Sequence, residues 1–277
     1  MVNLCSVVTK NCLTEFLLTK FSCEKFNNCN WHVSCDQVSA DYLSRYQNIK
    51  TYTFEVNDEI SDHNSTLPAH RAQFLNIIMN KFAVLEKCLE VNSHAFFIDS
   101  DMLFVGPLDH QAVNLLDEKR IDFVVSPHYS RDPMNEDKHG FYNVGMFALH
   151  DSENLKQWKY LTENCEKLGL YYEQKPFELV LSNFSALNLP INHNVGWWRF
   201  NNPRTNKRIK QLKLENDRIF FGSLPVVNFH FHVFKEPGGY NPGSFLVKKV
   251  LEMLEDSNLP AYKEILQYYE TLSKEAI

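Results

Sequence analysis

The chain has 277 residues, of which 44% are hydrophobic and 22% charged. This composition excludes a disordered chain and allows one large α/β domain. The formal net charge of −6 gives no general attraction to polyanions, so we expect no nucleic-acid partner. No apolar run reaches the roughly 20 residues of a membrane span, and the N-terminus lacks a signal-peptide pattern. We therefore expect a soluble, cytoplasmic protein.

Apolar runs of strand length alternate with helix-period segments in the first half of the chain, which predicts a mostly parallel sheet covered by helices. The first run ends in the polar turn that begins at Thr9. Ligands of open α/β sheets bind at such carboxyl ends of strands, so Thr9 is a candidate ligand contact. The predicted strands are, in chain order, Val2–Val8, Trp31–Ser34, Thr51–Phe54, Ala95–Ile98, Phe123–Val125 and Gly145–Leu149.

A helix about six turns long is predicted from about Pro68 to Glu90. Pro68 suits a helix start, and Asn92 follows the end. Arg71 and Lys81 lie beside or opposite the apolar face. That face is formed by residues spaced three or four apart, which are Phe74, Ile78, Phe82, Leu85 and Leu89.

After residue 183 the pattern loosens into Pro- and Asn-rich segments that contain Trp197 and Trp198. A strand at Pro225–Phe234 and a closing amphipathic helix from about Phe245 follow. Polar and aromatic loops of this kind suit the walls of a second substrate site. The two tryptophans offer flat apolar faces for a sugar ring or for the core.

Two carboxylates follow the fourth predicted strand, in the segment His94–Leu108 with the sequence HAFFIDSDMLFVGPL. The charges of Asp99 and Asp101 raise each other's pKa unless a cation lies beside them. Mn²⁺ or Mg²⁺ would relieve this repulsion and would also bind the oxygens of a diphosphate. The segment therefore predicts a divalent-metal site.

Two later segments carry further candidate site residues. Asn143 and Gly145 precede an apolar strand, and the glycine permits close approach of the backbone. In the strand Pro225–Phe234, alternation places His230 and His232 on the same face.

In this order, the three segments resemble the motifs of GT-A glycosyltransferases, especially the glycogenin and galactinol synthase type (a family 8-like pattern). The resemblance covers about residues 2–236 and is strongest from 95 to 149. It implies a GT-A fold with a Rossmann-like, mostly parallel sheet in a single domain, 1–277. Residues 1–125 would bind the nucleotide sugar, and residues 126–277 would face the acceptor. The compact form is more similar to bacterial or algal-virus enzymes of this kind.

The resemblance implies that Asp99 and Asp101 bind Mn²⁺ or Mg²⁺ together with His230 or His232. The spacing here is one residue shorter than usual, so both histidines stay candidates. The implied donor is a sugar on a nucleotide diphosphate, by default UDP-xylose, UDP-glucose or UDP-galactose, and the acceptor is a glycan or glycoprotein hydroxyl. The implied donor contacts are Thr9, Arg71, Lys81, Asp99, Ser100, Asn143, Gly145 and Lys235.

The segment Tyr172–Leu179 resembles the acidic-Gln motif that lies near the anomeric centre in the same enzymes. If transfer inverts the anomeric carbon, a carboxylate must deprotonate the acceptor, and Glu173, Glu178 or Asp151 are the candidates. A retaining enzyme would instead use an amide or weak nucleophile, for which Gln174 is suited. Both outcomes stay open.

Two other functions share parts of this pattern. A haloacid dehalogenase-type phosphatase also has D-x-D after a buried strand, but near the N-terminus and with Thr or Val where this chain has Leu103. A non-catalytic sugar-binding module or inactive transferase would keep the fold without needing an intact D-x-D and a later histidine.

Overall fold

The computed structural model describes residues 1–56, 67–130, 132–200, 206–234 and 243–275. The helices in these ranges are α1 Leu13–Glu24, α2 Gln37–Leu43, α3 Pro68–Leu89, α4 His110–Asp117, α5 Pro133–His139, α6 Leu155–Glu163, α7 Cys165–Leu168, α8 Gln174–Leu181, α9 Ser244–Asp256 and α10 Pro260–Lys274. The strands are β1 Val2–Val8, β2 Cys29–Cys35, β3 Ile49–Thr53, β4 Ala95–Ile98, β5 Met102–Phe104, β6 Phe123–Pro127, β7 Tyr142–Leu149, β8 Ala186–Asn188, β9 Val195–Gly196, β10 Leu212–Glu215, β11 Arg218–Phe221, β12 Leu224–Pro225 and β13 Asn228–His230.

The main sheet has seven strands in the order β3-β2-β1-β4-β7-β6-β8. Neighbouring strands are parallel except at β7, which runs antiparallel to both β4 and β6. The predicted mostly parallel α/β sheet is therefore confirmed. Since β7 runs in the opposite direction, its beginning lies beside the end of β4.

Helices cover both faces of this sheet because its central strands are apolar on both sides. Phe96 of β4 belongs to the core cluster that includes α1, and Phe97 belongs to the cluster that includes α3. On α3, the predicted apolar face packs into this second cluster through Ile78, Phe82 and Leu85. The helix prediction is thus confirmed over almost its full length.

A small three-stranded sheet, β5-β13-β9, lies next to the end of β4. β13 pairs antiparallel with β5 and parallel with β9, so it brings distant parts of the chain together. Helix α1 anchors β5, because Thr19 Oγ1 accepts a hydrogen bond from Met102 N at 3.1 Å and Ser22 Oγ accepts one from Phe104 N at 3.1 Å.

The predicted strand Pro225–Phe234 is wrong in extent: it is replaced by β12 and the shorter β13. Beyond His230 the backbone leaves the sheet, because Glu15 on α1 accepts hydrogen bonds from the amides of Val233 at 3.1 Å and Phe234 at 3.0 Å. A second small sheet, β10-β11-β12, leads into this segment.

The prediction of a single closing helix is also wrong, because this part of the chain forms two helices, α9 and α10. Pro260 lies at the start of α10 and cannot continue a preceding helix. Within the described ranges, no helix is both long and apolar enough to span a membrane.

Candidate active site

The Asp99-Ser100-Asp101 turn lies at the carboxyl end of β4 and is held from two sides. On one side, Asp99 N donates a hydrogen bond to Gly145 O at 2.8 Å, which ties the turn to β7. On the other, Thr19 Oγ1 donates to Ser100 O at 2.7 Å, which ties it to α1. The two carboxylates are therefore presented by a fixed backbone.

His230, the last residue of β13, faces this turn. Its Nε2 lies 3.1 Å from Asp101 Oδ1 and 3.7 Å from Asp99 Oδ2. One donor atom from each of these three residues lies within 4.8 Å of the other two, and the described residues contain no other such group. His232 lies on the far side, with Nδ1 3.4 Å from Asp101 Oδ2 and 40% of its side chain exposed.

The charges of the two aspartates are balanced by cationic groups of the chain itself. Burial raises the pKa of Asp99, and the charges of Lys81 and His230 oppose this shift only in part. Burial also acts to raise the pKa of Asp101, but His230 and His232 bring it well below its usual value. Burial lowers the pKa of His230, whereas Asp101 and Asp99 raise it to a net value above the usual one.

Lys81 is buried beside these groups rather than exposed on its helix. Its Nζ lies 3.4 Å from Asp99 Oδ1 and 3.0 Å from Glu173 Oε1, and it donates to Val144 O at 3.4 Å. Burial lowers the pKa of Lys81, but the charges of Asp99 and Glu173 raise it above its usual value, so the side chain stays charged. Lys81 therefore orients Asp99.

The three donor atoms fit a hard divalent cation. Two carboxylate oxygens and one imidazole nitrogen suit Mn²⁺ or Mg²⁺, and three protein ligands leave coordination positions for substrate oxygens. Gly145 forms one wall: a Cβ there would lie 2.4 Å from Asp99 Oδ2 and 2.5 Å from His230 Cε1. The predicted close approach at this glycine is thus present, and it is made to the side chains of the site.

The Asn143-Val144-Gly145 turn is joined to His230 through Asn194, a residue that sequence reasoning missed. Asn143 Oδ1 accepts hydrogen bonds from Gly145 N at 3.0 Å and from Asn194 Nδ2 at 2.8 Å. Asn194 Oδ1 lies 2.9 Å from His230 Nδ1. No sequence signal could have found this residue, because one Asn among several in an irregular segment has no motif.

The candidates Glu173 and Gln174 lie at the start of α8. Glu173 is 6% exposed and paired with Lys81, which places it beside Asp99. Gln174 is half-buried, and its carbonyl is 3.1 Å from the position of a Cβ on Gly140, next to the Asn143 turn. The structure therefore brings the Glu173 side chain to the site, and Gln174 follows it with its backbone carbonyl near the turn.

The other two candidate bases are placed differently. Glu178 accepts from Lys175 Nζ at 2.9 Å and from the Phe141 amide at 3.4 Å, one helical turn beyond Gln174. Asp151 follows the far end of β7, about 20 Å along the strand from the Asn143 turn, and it caps a short 3₁₀ turn. The structure does not bring Asp151 to the site.

The remaining predicted donor contacts are divided between this edge and other positions. Thr9 follows β1, which pairs with β4, so it lies at the same sheet edge as Ser100. Arg71 is about 15 Å from Lys81 along α3, and its Nε lies 3.5 Å from Glu166. Lys235 lies outside the described residues.

Trp198 lies against the site. Its ring meets the His230 ring edge to face, with centroids 5.1 Å apart, and its Nε1 donates to His128 O at 3.0 Å. Gly196 permits this packing, since a Cβ there would lie 2.1 Å from the indole ring.

This sheet, with β7 as its one antiparallel strand and an acidic turn after β4, is the GT-A fold of glycosyltransferases. Among solved structures, the galactosyltransferase LgtC, in complex with donor and acceptor sugar analogs, matches with a TM-score of 0.55 and 13% identity over 96% of this chain and 100% of LgtC. The apo glycosyltransferase GlyE of Streptococcus pneumoniae TIGR4 matches with a TM-score of 0.54 and 12% identity, over 98% of this chain and 64% of GlyE. The bifunctional glycosyltransferase WbbM matches with a TM-score of 0.52 and 13% identity, over 96% of this chain and 51% of WbbM.

Identities this low establish the shared fold alone. No protein-family model matches the chain, and no curated protein sequence is significantly similar to it.

Proposed function

We propose that this chain is a metal-dependent glycosyltransferase that moves a sugar from a nucleotide diphosphate to a hydroxyl of a glycan or glycoprotein. The observation that carries the proposal is the group of Asp99, Asp101 and His230 at the carboxyl end of β4 in a GT-A fold. Ligands of open α/β sheets bind at this edge. Residues 1–125 would hold the nucleotide, and residues 126–277 would face the acceptor.

In this proposal Asp99, Asp101 and His230 hold Mn²⁺ or Mg²⁺. Bound there, the cation would neutralise charge that develops on the leaving diphosphate. Lys81 keeps the Asp99 carboxylate oriented, because its ammonium lies between Asp99 and Glu173. His232 contacts the opposite oxygen of Asp101 and restrains that carboxylate.

The sugar would lie beside the Asn143 turn and the start of α8. Glu173 is paired with Lys81 and Glu178 with Lys175, so neither carboxylate is well suited to take a proton from an acceptor. This favours Gln174 as the group nearest the anomeric carbon and therefore a retaining transfer. The solved structures similar to this chain include LgtC with an active-site glutamine replaced by glutamate.

UDP is the carrier to test first, with glucose, galactose and xylose as the sugars, following the likeness to the glycogenin and galactinol synthase type. The phosphatase alternative is disfavoured, because the acidic turn follows β4 rather than an N-terminal strand. An inactive sugar-binding module would bind a donor without breaking it.

Release of free sugar or UDP from radiolabelled UDP-sugars with Mn²⁺ tests the proposal. We expect slow donor hydrolysis by the wild-type protein, and a loss of at least about 100-fold in Asp101→Asn, because one of the cation's ligands is weakened. Asp41→Asn, an exposed change on α2, is the matched control and should keep full activity. Equal rates in Asp101→Asn and wild type would overturn the proposal, and donor binding without any hydrolysis would support the inactive module.

A further inference from the structure

Asn194 lies directly before β9 and is completely buried, with 0% of its surface exposed. Its φ of 50° is in the left-handed region, which Asn tolerates better than most side chains. Its backbone N–H donates to Asn228 Oδ1 at 3.1 Å, and its side-chain amide contacts His230, Asn143 and Ser126. A buried amide with partners on both ends has a single stable orientation.

The orientation of this amide follows from one backbone donor. Gly145 N–H can only donate, so the atom of Asn143 that faces it at 3.0 Å is the amide oxygen. The same oxygen lies 2.8 Å from the Asn194 amide, so the facing atom of Asn194 is the nitrogen. The nitrogen also donates to Ser126 Oγ at 3.0 Å.

The oxygen of Asn194 must then face His230 Nδ1, at 2.9 Å. This oxygen can only accept, so Nδ1 of His230 carries a proton. The other ring nitrogen, Nε2, is the one that faces Asp99 and Asp101. A histidine that binds a metal through one ring nitrogen commonly donates the other N–H to a fixed acceptor.

We propose that Asn194 is a positioning residue: it holds His230 with Nε2 directed at the cation site and joins this ligand to the Asn143 turn through one amide. The inference rests on the proposed function for the identity of the cation site. The inference also extends the proposed function, because Asn194 connects the metal ligand His230 to the Asn143 turn, beside which the sugar is proposed to lie. Loss of the amide removes one hydrogen bond each from His230 Nδ1, Asn143 Oδ1 and Ser126 Oγ.

The test compares Asn194→Gly with Asn216→Gly. Both residues have left-handed backbones, with φ values of 50° and 49°, and glycine adopts this conformation without strain. Asn216 lies in the turn between β10 and β11, so its variant removes the same side chain away from the site. We expect Mn²⁺ affinity, measured by electron paramagnetic resonance of the free ion, to fall about 10- to 100-fold in Asn194→Gly and to stay unchanged in Asn216→Gly.

A second variant separates ligand positioning from simple loss of packing. Asn194→Asp keeps an oxygen that accepts from His230 Nδ1 and loses the amide donor to Asn143 and Ser126. If the contact to His230 sets the metal affinity, the Mn²⁺ affinity of this variant should lie closer to wild type than that of Asn194→Gly. Circular dichroism spectra and melting temperatures show whether each variant folds. Equal loss in the Asp and Gly variants, with both folded, would overturn the positioning role.

Ring ¹⁵N spectra of histidine-labelled protein give a direct signature. With Mg²⁺ bound, we expect the His230 signal, assigned by its absence in His230→Gln, to show a protonated Nδ1 and an unprotonated Nε2. The reverse pattern contradicts the inference. Wild-type protein that binds no Mn²⁺ would overturn both proposals, whereas wild-type binding with unchanged affinity in Asn194→Gly would overturn only this one.

Discussion

At Gly145, the candidate site has no room for even one side-chain atom. Its backbone passes so close to Asp99 and His230 that a Cβ would overlap with both side chains. Its amide also holds Asn143, so movement of this backbone would disturb the turn as well. The absence of a side chain at residue 145 is therefore a requirement of the site geometry.

We expect Gly145→Ala to reduce Mn²⁺ affinity by at least about 10-fold, because the added methyl group displaces two of the three ligand side chains. Titration of Mn²⁺ by calorimetry measures the change. Gly169→Ala is the control: its φ of 66° makes alanine strained, but no heavy atom lies within 4 Å of the added Cβ. That variant should lose stability and keep its metal affinity. An unchanged Mn²⁺ affinity in Gly145→Ala would contradict the requirement for glycine beside Asp99 and His230.

The role of the Lys81 charge depends on where the fold places this side chain. In the sequence, Lys81 and Arg71 look alike, since both are basic residues beside or opposite the apolar face of the predicted helix. The fold buries Lys81 between two carboxylates. Arg71 lies far from them along α3, with 39% of its side chain exposed and its Nε 3.5 Å from Glu166. A buried charge persists only when it is paired, and Lys81 has both partners within 3.4 Å.

The end of β13 decides which histidine lies beside both aspartates. Phe231 N still donates to Asp101 O at 3.1 Å, but the amides of Val233 and Phe234 bond to Glu15 rather than to a neighbouring strand, so the strand ends at His230. His232 therefore lies beyond the strand, with Nδ1 3.4 Å from Asp101 Oδ2 and 4.0 Å from Glu15 Oε1. The Glu15 carboxylate on α1 thus fixes the backbone at Val233, which is 218 residues away along the chain.

We expect Glu15→Ala to release this turn and leave β13 paired. Two amides lose their acceptor, so the free energy of unfolding should fall by about 1–3 kcal/mol. Hydrogen exchange followed by mass spectrometry should show faster exchange at Val233 and Phe234 and unchanged protection in α3. Glu163→Ala, at an exposed position on α6, serves as the control. Unchanged exchange at Val233 and Phe234 would contradict the proposed reason for the strand end.

Folding of the protein is coupled to pH through the half-buried His128 and the buried His193, whose pKa values are both lowered. Burial lowers the pKa of His128 to about 4 and that of His193 to about 4. In the unfolded chain a histidine titrates near pH 6.5, so between about pH 4 and pH 6.5 the unfolded state binds more protons than the folded state. Folding stability must then decrease as the pH falls through this window. His230 has a raised pKa, so it contributes in the opposite direction.

We expect His193→Gln to flatten this dependence. Each histidine that is neutral in the folded protein accounts for up to about 1.4 kcal/mol of unfolding free energy per pH unit within the window. Urea unfolding in the presence of EDTA, at about pH 7, 6 and 5, measures the slope for wild type and variant. Parallel slopes would show that His193 takes up its proton without unfolding.

Local patterns were sufficient for much of the fold. The predicted bounds of β1 and α3 agree almost completely with the structure. Both elements can be predicted because the spacing of apolar residues along a strand or a helix depends only on residues close together in the sequence. The strand that carries the acidic turn was predicted for the same reason. The division of the C-terminal part into β12, β13, α9 and α10 was not, because it depends on Glu15 and on the start of α10 at Pro260.

Residue patterns alone predict the α/β class, six of the seven strands of the main sheet in outline, the long helix, and an acidic pair at a strand end with histidines far downstream. Packing of distant segments is needed to place His230, rather than His232, with the acidic pair, to bury Lys81 with Glu173, and to orient the imidazole through Asn194. The physical reason is that period-two alternation treats both histidines alike, and the contacts that separate them join residues 36 to 218 positions apart. Such contacts exist only once the sheets and helices have packed.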